Sequence, residues 1–464
     1  NLVNLKKIYL LGSRDLTEIP DLSKAEKLES VSLRSCESLS QLHPSMFSLP
    51  RLTYLDLNFC RDIESLNVHS KSLRELHLQN CSSLKEFSMT SEEMTYLNLS
   101  HSAICALPSS IWCNRKLTYL YLSGCRNLEK LSTGSRVRFI TAQDHSGCTQ
   151  HNASNLSYLQ ALLHNIGHFS SLEELNLSRT SVESLPANIR NLSSLKMLYL
   201  DDCKELVSLP QLPPSLRVLH IDNCRKVVSL PELPPSVIVV SGFNCTSLET
   251  DLTQWIVLQH MLQSRIPYIH NQHNNANYSD FGYFIFPGDH VIDECRIRTA
   301  ESSITIPNLP LSGLSGFIYC IILSTKSYEG NFSCSIYQDG KLVGMDNNFI
   351  SWNNLISDHV LFSYVKMRSL FCDIPFKFEF EYDDVDEHHQ ESIKECGVFP
   401  VYASESGFKH FGNSSEEFFE SESITQISDD EPQSRSIGVG GSNSEKEQHP
   451  EQLLPAEKRR RTSP

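Results

Sequence analysis

Fifteen cysteines stand in this 464-residue chain. A thiol can bridge to another thiol, ligate a metal, act as a nucleophile, or pack as a small hydrophobe with a weak donor. Their spacing chooses among these. No Cys-x-x-Cys occurs, so the commonest zinc framework is missing. Cys36, Cys60, Cys81, Cys125, Cys203, Cys224 and Cys245 instead hold one recurrent slot, just after an apolar Leu-x-x-Leu-x-Leu-like stretch. A side chain in that slot turns inward and satisfies backbone groups of the neighbouring turn, so stacked equivalents form a ladder without sulfur–sulfur bonds. The expectation is a structural cysteine ladder in a reducing, cytoplasmic compartment.

Other constellations are weaker. Gly313-Leu-Ser-Gly316 is one residue short of a nucleophile elbow, and no His/Asp pair has informative spacing to accompany it. Gly340-Lys341 is followed by Leu342 and lacks the glycine context of a phosphate-binding loop. The acidic run from Asp383 to Glu387, with His388 and His389, reads as a solvated loop rather than a metal site. Asn98-Leu-Ser and Asn176-Leu-Ser match a glycosylation sequon, but the repeat pattern itself generates them. The chain is therefore predicted to be a binding protein, with no catalytic residues, cofactor or metal.

The elements that must position the cysteines are repeats. Cassettes begin at Leu5, Leu28, Leu52, Leu73, Met94 and Leu117, then at Leu172, Leu195, Leu216 and Val237, most of them 21 to 24 residues apart. This is the leucine-rich-repeat signature and period. One cassette cannot bury its leucines alone, so stacking into a solenoid is required. Residues 1–249 are assigned to an α/β solenoid of about ten repeats, a horseshoe with a parallel sheet on its concave face. A degenerate repeat is placed at Val137-x-x-Ile140-x-Ala142, within a polar insertion near 132–154. Pro108 and Pro186 open short helical turns on the convex side. Leu209-Pro-Gln-Leu-Pro-Pro-Ser215 and Leu230-Pro-Glu-Leu-Pro-Pro-Ser236 demand extended returns.

About ten strands near 4.8 Å apart give a concave face on the order of 45 Å long. Its outward side chains include Glu75, His77, Gln79, Tyr119, Tyr121, Glu174, Asn176, Tyr199, Asp201, Asp202, His220 and Asp222, a polar and aromatic mixture suited to a protein partner. The net charge of −15 argues against nucleic acid. No small-molecule substrate is indicated, and no run of about 18 apolar residues predicts a membrane span.

After Leu248 the pattern breaks. Thr250 or Asp251 is expected to cap a helix covering 250–266, with Leu252, Trp255, Ile256, Gln259 and Leu262 following helical spacing as a lid over the open end of the solenoid. Residues 267–402 carry about eight short apolar or aromatic runs and read as an all-β sandwich. Asp339-Gly340 is placed at a hairpin turn. Residues 403–464 have the composition of a disordered acidic, Ser-rich tail. Within it, Lys458-Arg459-Arg460-Arg461 is a candidate nuclear-import cluster. Asn1 stands in repeat rhythm without an initiator Met or signal peptide, from which the chain is expected to be the tail of something longer.

Two features carry a resemblance. One is the Cys-slot repeats with Leu-Pro-x-Leu-Pro-Pro-Ser returns. The other is the segment C-terminal to them, with Phe286-Pro-Gly-Asp289, Ser303-Ile-Thr-Ile-Pro307, Gly316-Phe-Ile-Tyr-Cys320 and Ile393-Lys-Glu-Cys-Gly-Val398. Over roughly residues 1–402 the chain resembles the C-terminal part of a plant TIR–nucleotide-binding–leucine-rich-repeat disease resistance protein. The resemblance implies that 267–402 is a jelly-roll/Ig-like domain. It also implies that repeats and β domain bind a pathogen effector or host protein, while the repeats restrain the nucleotide-binding domain at rest. The family's TIR domain cleaves NAD, but TIR and nucleotide-binding motifs are not found in this sequence. A free-standing repeat adaptor or decoy, and a fragment of an extracellular repeat receptor, are the alternatives.

Overall fold

The computed structural model describes residues 2–108, 110–111, 114–129, 137–141, 149–153, 163, 165–263, 282–307, 309–324, 328–352, 355–367, 374–384 and 393–402. The tail, with its basic cluster at 458–461, lies outside the described residues, as do His388 and His389.

Ten short strands form the repeat sheet: β1 (Lys7–Tyr9), β2 (Ser30–Ser32), β3 (Tyr54–Asp56), β4 (Glu75–His77), β5 (Tyr96–Asn98), β6 (Tyr119–Tyr121), β7 (Glu174–Asn176), β8 (Met197–Tyr199), β9 (Val218–His220) and β10 (Val239–Ser241). Each pairs in parallel with the next, and equivalent residues of successive cassettes stand directly opposite one another. Leu55, Leu76, Leu97, Leu120, Leu175, Leu198 and Leu219 at the strand centres are wholly buried. Leucines three residues before and two after join them, so the core is a continuous stack of aliphatic layers.

Two expectations do not hold. The sheet passes directly from β6 to β7, so the cassette at Val137 is not a rung. Val137–Thr141 pairs antiparallel with Thr149–Ala153 as a separate ribbon. In sequence, that cassette has Ala142 where most of the others have a leucine. The α half of the α/β assignment is also hardly realised, because the solenoid has few helices. The described returns are extended, or form 3-10 turns at Pro44–Ser48, Arg126–Glu129, Ile166–His168 and Ala187–Asn191. A period near 21 to 24 residues, much of it spent on strand and turns, leaves little length for a convex α-helix.

Helix α1 (Thr250–Gln263) comes after the repeats. It buries Thr253, Gln254, Val257, Leu258, His260 and Met261, whereas Leu252 and Trp255 are about 40% exposed (41% and 39%). Of the expected face, Ile256 and Leu262 pack partly buried against the core, whereas Leu252 and Trp255 do not. Apolar spacing gives polar residues no weight, yet Gln254 and His260 are the ones with buried backbone partners, at His290 O, Ile292 N and Val237 O.

The helix packs on the last repeats as expected, with Val257, Leu258 and Met261 in their core and His260 on Val237 O, but it does not pair with the edge strand of the sheet. Strand β11 (Tyr283–Pro287) does so, pairing in parallel with β10 through Val239–Tyr283, Val240–Phe284 and Ser241–Ile285. The remaining strands are β12 (Arg298–Thr299), β13 (Ser303–Ile306), β14 (Leu314–Leu323), β15 (Tyr328–Gln338), β16 (Lys341–Trp352), β17 (His359–Lys366), β18 (Phe376–Asp384) and β19 (Ile393–Tyr402). One sheet continues from the repeats in the order β10-β11-β17-β14-β19-β12, and a second has the order β13-β18-β15-β16. Asp339 and Gly340 both take positive φ, 49° and 69°, in the two-residue turn between β15 and β16.

Strand β14 explains how two cores meet. Its run Phe317-Ile-Tyr-Cys-Ile-Ile-Leu323 is buried on both sides. Phe317, Tyr319, Ile321 and Leu323 enter a core with Phe376 and Phe378 of the second sheet, whose rings Phe317 meets edge-on at 5.3 and 4.8 Å. Ile318, Cys320 and Ile322 point the other way, into the cluster shared with the repeats. Among the described residues no helix is long and apolar enough to cross a membrane.

Candidate protein-interaction face

Each rung ends in a turn that fixes the direction of the next side chain. Ser35, Phe59, Asn80, His101, Arg179, Asp202, Asn223 and Asn244 all have positive φ, and each directly precedes the slot position. Gly12 and Gly124 hold the equivalent place, and a Cβ on Gly124 would lie 2.5 Å from His101 Nδ1. The turn drives the slot side chain inward. Cys36 Sγ donates to Leu10 O at 2.9 Å, Cys60 to Leu33 O, Cys81 to Leu57 O, and Cys125 to Leu99 O. Cys203, Cys224 and Cys245 do the same to Leu177, Leu200 and Ile221. All seven are fully buried free thiols. Thr180 fills the slot in one of the repeats that lack cysteine there, and its hydroxyl donates to Leu177 O at 2.6 Å. Burial pushes the Cys81 and Cys245 thiols up to about 12, so neither supplies thiolate at neutral pH. In the native chain, mass-mapped alkylation should therefore reach exposed Cys105 well before any ladder cysteine. Early labelling of Cys81 or Cys245 would contradict the ladder.

With the leucines buried, the alternate side chains form two columns across the concave face. One runs Tyr54, Glu75, Tyr96, Tyr119, Glu174, Met197, Val218, Val239 and then Tyr283 of β11. The other runs Asp56, His77, Asn98, Tyr121, Asn176, Tyr199, His220 and Ser241. Rings touch along them: Tyr54–His77 at 5.1 Å, His77–Tyr96 at 4.3 Å, Tyr96–Tyr121 at 5.4 Å and Tyr199–His220 at 5.1 Å.

Carboxylates sit among the rings. Burial raises the Glu174 carboxyl, against the hydrogen bond it receives from Tyr121. Tyr121 is raised in turn, by its own burial and then by Glu174. Burial pushes Tyr199 up to about 12. At the turn after β8, Asp201 Oδ1 accepts from the Asp222 N–H at 3.0 Å, and burial raises its carboxyl. One repeat later Asp222 Oδ1 accepts from Phe243 N at 2.8 Å and Ser241 Oγ at 2.7 Å. Burial, followed by the Asp201 charge, pushes Asp222 up to about 7. His220 is lowered by burial, which Asp201 partly offsets.

The structure thus brings Tyr121 to Glu174, and Asp201 to His220 and Asp222. Glu75 contacts His77 at 3.7 Å. Gln79 and Asn176 play more local parts: Gln79 N–H donates to Asn58 Oδ1, and Asn176 Oδ1 accepts from Ser178 N. Asp202 stands apart, paired with Arg179 at 3.3 Å in a shallow cleft that Arg126, Lys204 and Glu205 also line. Tyr54, Asp56 and Tyr96 share the face without being among the sequence candidates, although they occupy the same between-leucine positions. Tyr283 has no such signal, because its place depends on the long-range pairing of Val239 with Tyr283.

No family model matches this chain. Among similar proteins, SUPPRESSOR OF npr1-1, CONSTITUTIVE 1 of Arabidopsis thaliana is 30% identical over 208 residues, covering 44% of this chain and 14% of that protein. The TMV resistance protein N of Nicotiana glutinosa is 28% identical, covering 46% of this chain and 25% of its own length. Disease resistance protein RPP4 of Arabidopsis thaliana is 31% identical, covering 45% and 17%. The chain therefore spans a quarter or less of the length of these relatives. A solved leucine-rich-repeat protein of Leptospira interrogans aligns over 56% of this chain and 77% of its own at 16% identity, with a TM-score of 0.25. Over about 45% of its length, then, the chain is homologous to plant TIR–nucleotide-binding–leucine-rich-repeat disease resistance proteins.

Proposed function

We propose that this chain is the sensor part of an intracellular plant immune receptor, cytoplasmic and, if the 458–461 cluster is used, nuclear. Its concave face binds a pathogen effector or a host protein, and its contacts with the receptor's nucleotide-binding domain hold the receptor at rest. Its work is binding, and the nucleotide-dependent and NAD-cleaving steps fall to other domains. The observation that carries this reading is the pair of aromatic and acidic columns. They are half-buried, in register over successive rungs, and continued by Tyr283. Rigid aromatic side chains beside half-buried carboxylates are the composition of an interaction surface.

The segment 267–402 is read as a jelly-roll/Ig-like sandwich whose strand β11 both seals the repeat sheet and extends its face. Reversing charge at Glu174, Asp201, Asp202 and Asp222 together should reduce capture of crosslinked partners from challenged leaf tissue by about tenfold or more. Unchanged capture would move the contact to the C-terminal sheets.

A further inference from the structure

We propose that the cluster of Asp201, His220 and Asp222 on the concave face, with Tyr199 and Tyr283 beside it, takes an arginine side chain of the protein partner. The proposal rests on the reading of the concave face as the binding face. It names the chemistry that face selects.

Single ligand atoms of Asp201, His220 and Asp222 lie within 4.8 Å of one another. The two carboxylates come from adjacent rungs, and each is held by one oxygen. Asp201 Oδ1 takes the Asp222 amide, while Asp222 Oδ1 takes the Phe243 amide and the Ser241 hydroxyl. The Asp201 Oδ2 contact to Ser178 Oγ is long, at 3.5 Å. Three cations of the same repeats are already engaged: Arg179 with Asp202, Lys196 with Glu173 and Lys226 with Glu205. The two half-buried carboxylates lie close together, with His220 as the basic group against them. Such a pair favours any ligand that brings positive charge.

The walls select the shape of that charge. Tyr199 and His220 stand ring to ring at 5.1 Å in one column, and Tyr283 of β11 ends the neighbouring column, within electrostatic reach of Asp222, Asp201 and Tyr199. A guanidinium is planar, presents parallel N–H donors that fork across two carboxylate oxygens, and stacks on aromatic faces. A lysine ammonium brings charge and hydrogen-bond donors, but as a point charge without the planar fork. The site needs both segments of the chain, since Tyr283 is supplied by β11.

The test uses the full chain and fluorescein-labelled hexapeptides of alternating glycine with arginine, lysine or glutamate, read by anisotropy. The arginine peptide should bind about tenfold tighter than the lysine peptide, and the glutamate peptide should not bind. The double substitution Asp201→Asn, Asp222→Asn keeps the amide-accepting oxygens while removing both charges, and should abolish the preference. Tyr199→Leu keeps both charges and should lower arginine-peptide affinity while leaving the lysine peptide unchanged. Glu86→Gln, on an exposed convex strand position, should change nothing.

Equal binding of arginine and lysine peptides, or a double variant that binds as the native chain does, would overturn the assignment. So would stoichiometric Mn²⁺ or Zn²⁺ binding that the double variant loses while peptide binding persists, since the cluster would then be a metal site. Should the peptides fail while charge reversal still removes partner capture, the concave-face reading survives without the arginine. Should both fail, the two fall together.

Discussion

Alanine at Phe284 is expected to destabilise the chain by about 3–5 kcal/mol and to loosen the last repeats together with the C-terminal sheets. Phe284 is wholly buried, stands opposite Val240 in parallel pairing and opposite Phe362 in antiparallel pairing, and meets His260 of α1 edge-on at 5.4 Å. It lies in the same continuous core as the leucine layers. Truncation leaves a cavity bordered by a repeat strand, the helix and β17, so no single element can collapse into it. Hydrogen exchange should show faster opening at 239–241 and at 359–366 alike. Phe378→Ala is the contrasting variant, because that ring sits between the two C-terminal sheets. It should open β13 to β18 and spare the repeats. If Phe284→Ala opens only the C-terminal strands, the repeats and the sheets are separate cooperative units.

Asp222→Asn is expected to do the opposite and raise stability above neutral pH, by about 4 kcal/mol. Asp222 titrates at about 7 rather than near 3.8, chiefly because burial penalises its charge and Asp201 stands beside it. A carboxyl whose folded pKa lies above its unfolded value favours the fold in its protonated form. Its contribution is greatest below the unfolded pKa, falls as pH rises through the interval from about 3.8 to about 7, and stays low beyond it. Asparagine keeps the oxygen that accepts from Phe243 N and Ser241 Oγ and never ionises. Denaturant melts at pH 5 and pH 8 should therefore show a gain that is large at pH 8 and much smaller at pH 5. An equal gain at both values would mean that charge burial is not the cause. A half-buried carboxylate that weakens the isolated fold is the kind of residue expected at a binding surface.

The solenoid was legible because its information is local and repeated. Each Leu-x-x-Leu-x-Leu stretch alternates with period two, and the return period fixes which residues stack. The strand centres, the inward slot of Cys36 to Cys245 and the outward positions of Tyr121, Glu174 and His220 all follow from spacing alone. The helix at Thr250 was legible too, but only part of its buried face. An apolar count favoured Leu252 and Trp255, whereas Gln254 and His260 are buried because backbone groups at His290, Ile292 and Val237 await them.

What only the tertiary structure decided is long-range. The sequence by itself called for a cap on the repeat sheet, and the structure supplies it as β11, whose pairing with β10 joins two segments with different periodicities. That pairing carries Tyr283 onto the face beside Asp201 and Asp222. The pairing of Arg179 with Asp202, which sets Asp202 apart from that face, was equally invisible. Hydrophobic period specifies which side of a strand is buried, because the pleat has only two sides. It says nothing about which distant edge that strand will meet, since any exposed edge offers the same backbone hydrogen bonds and only packing such as that of Phe284 chooses among them.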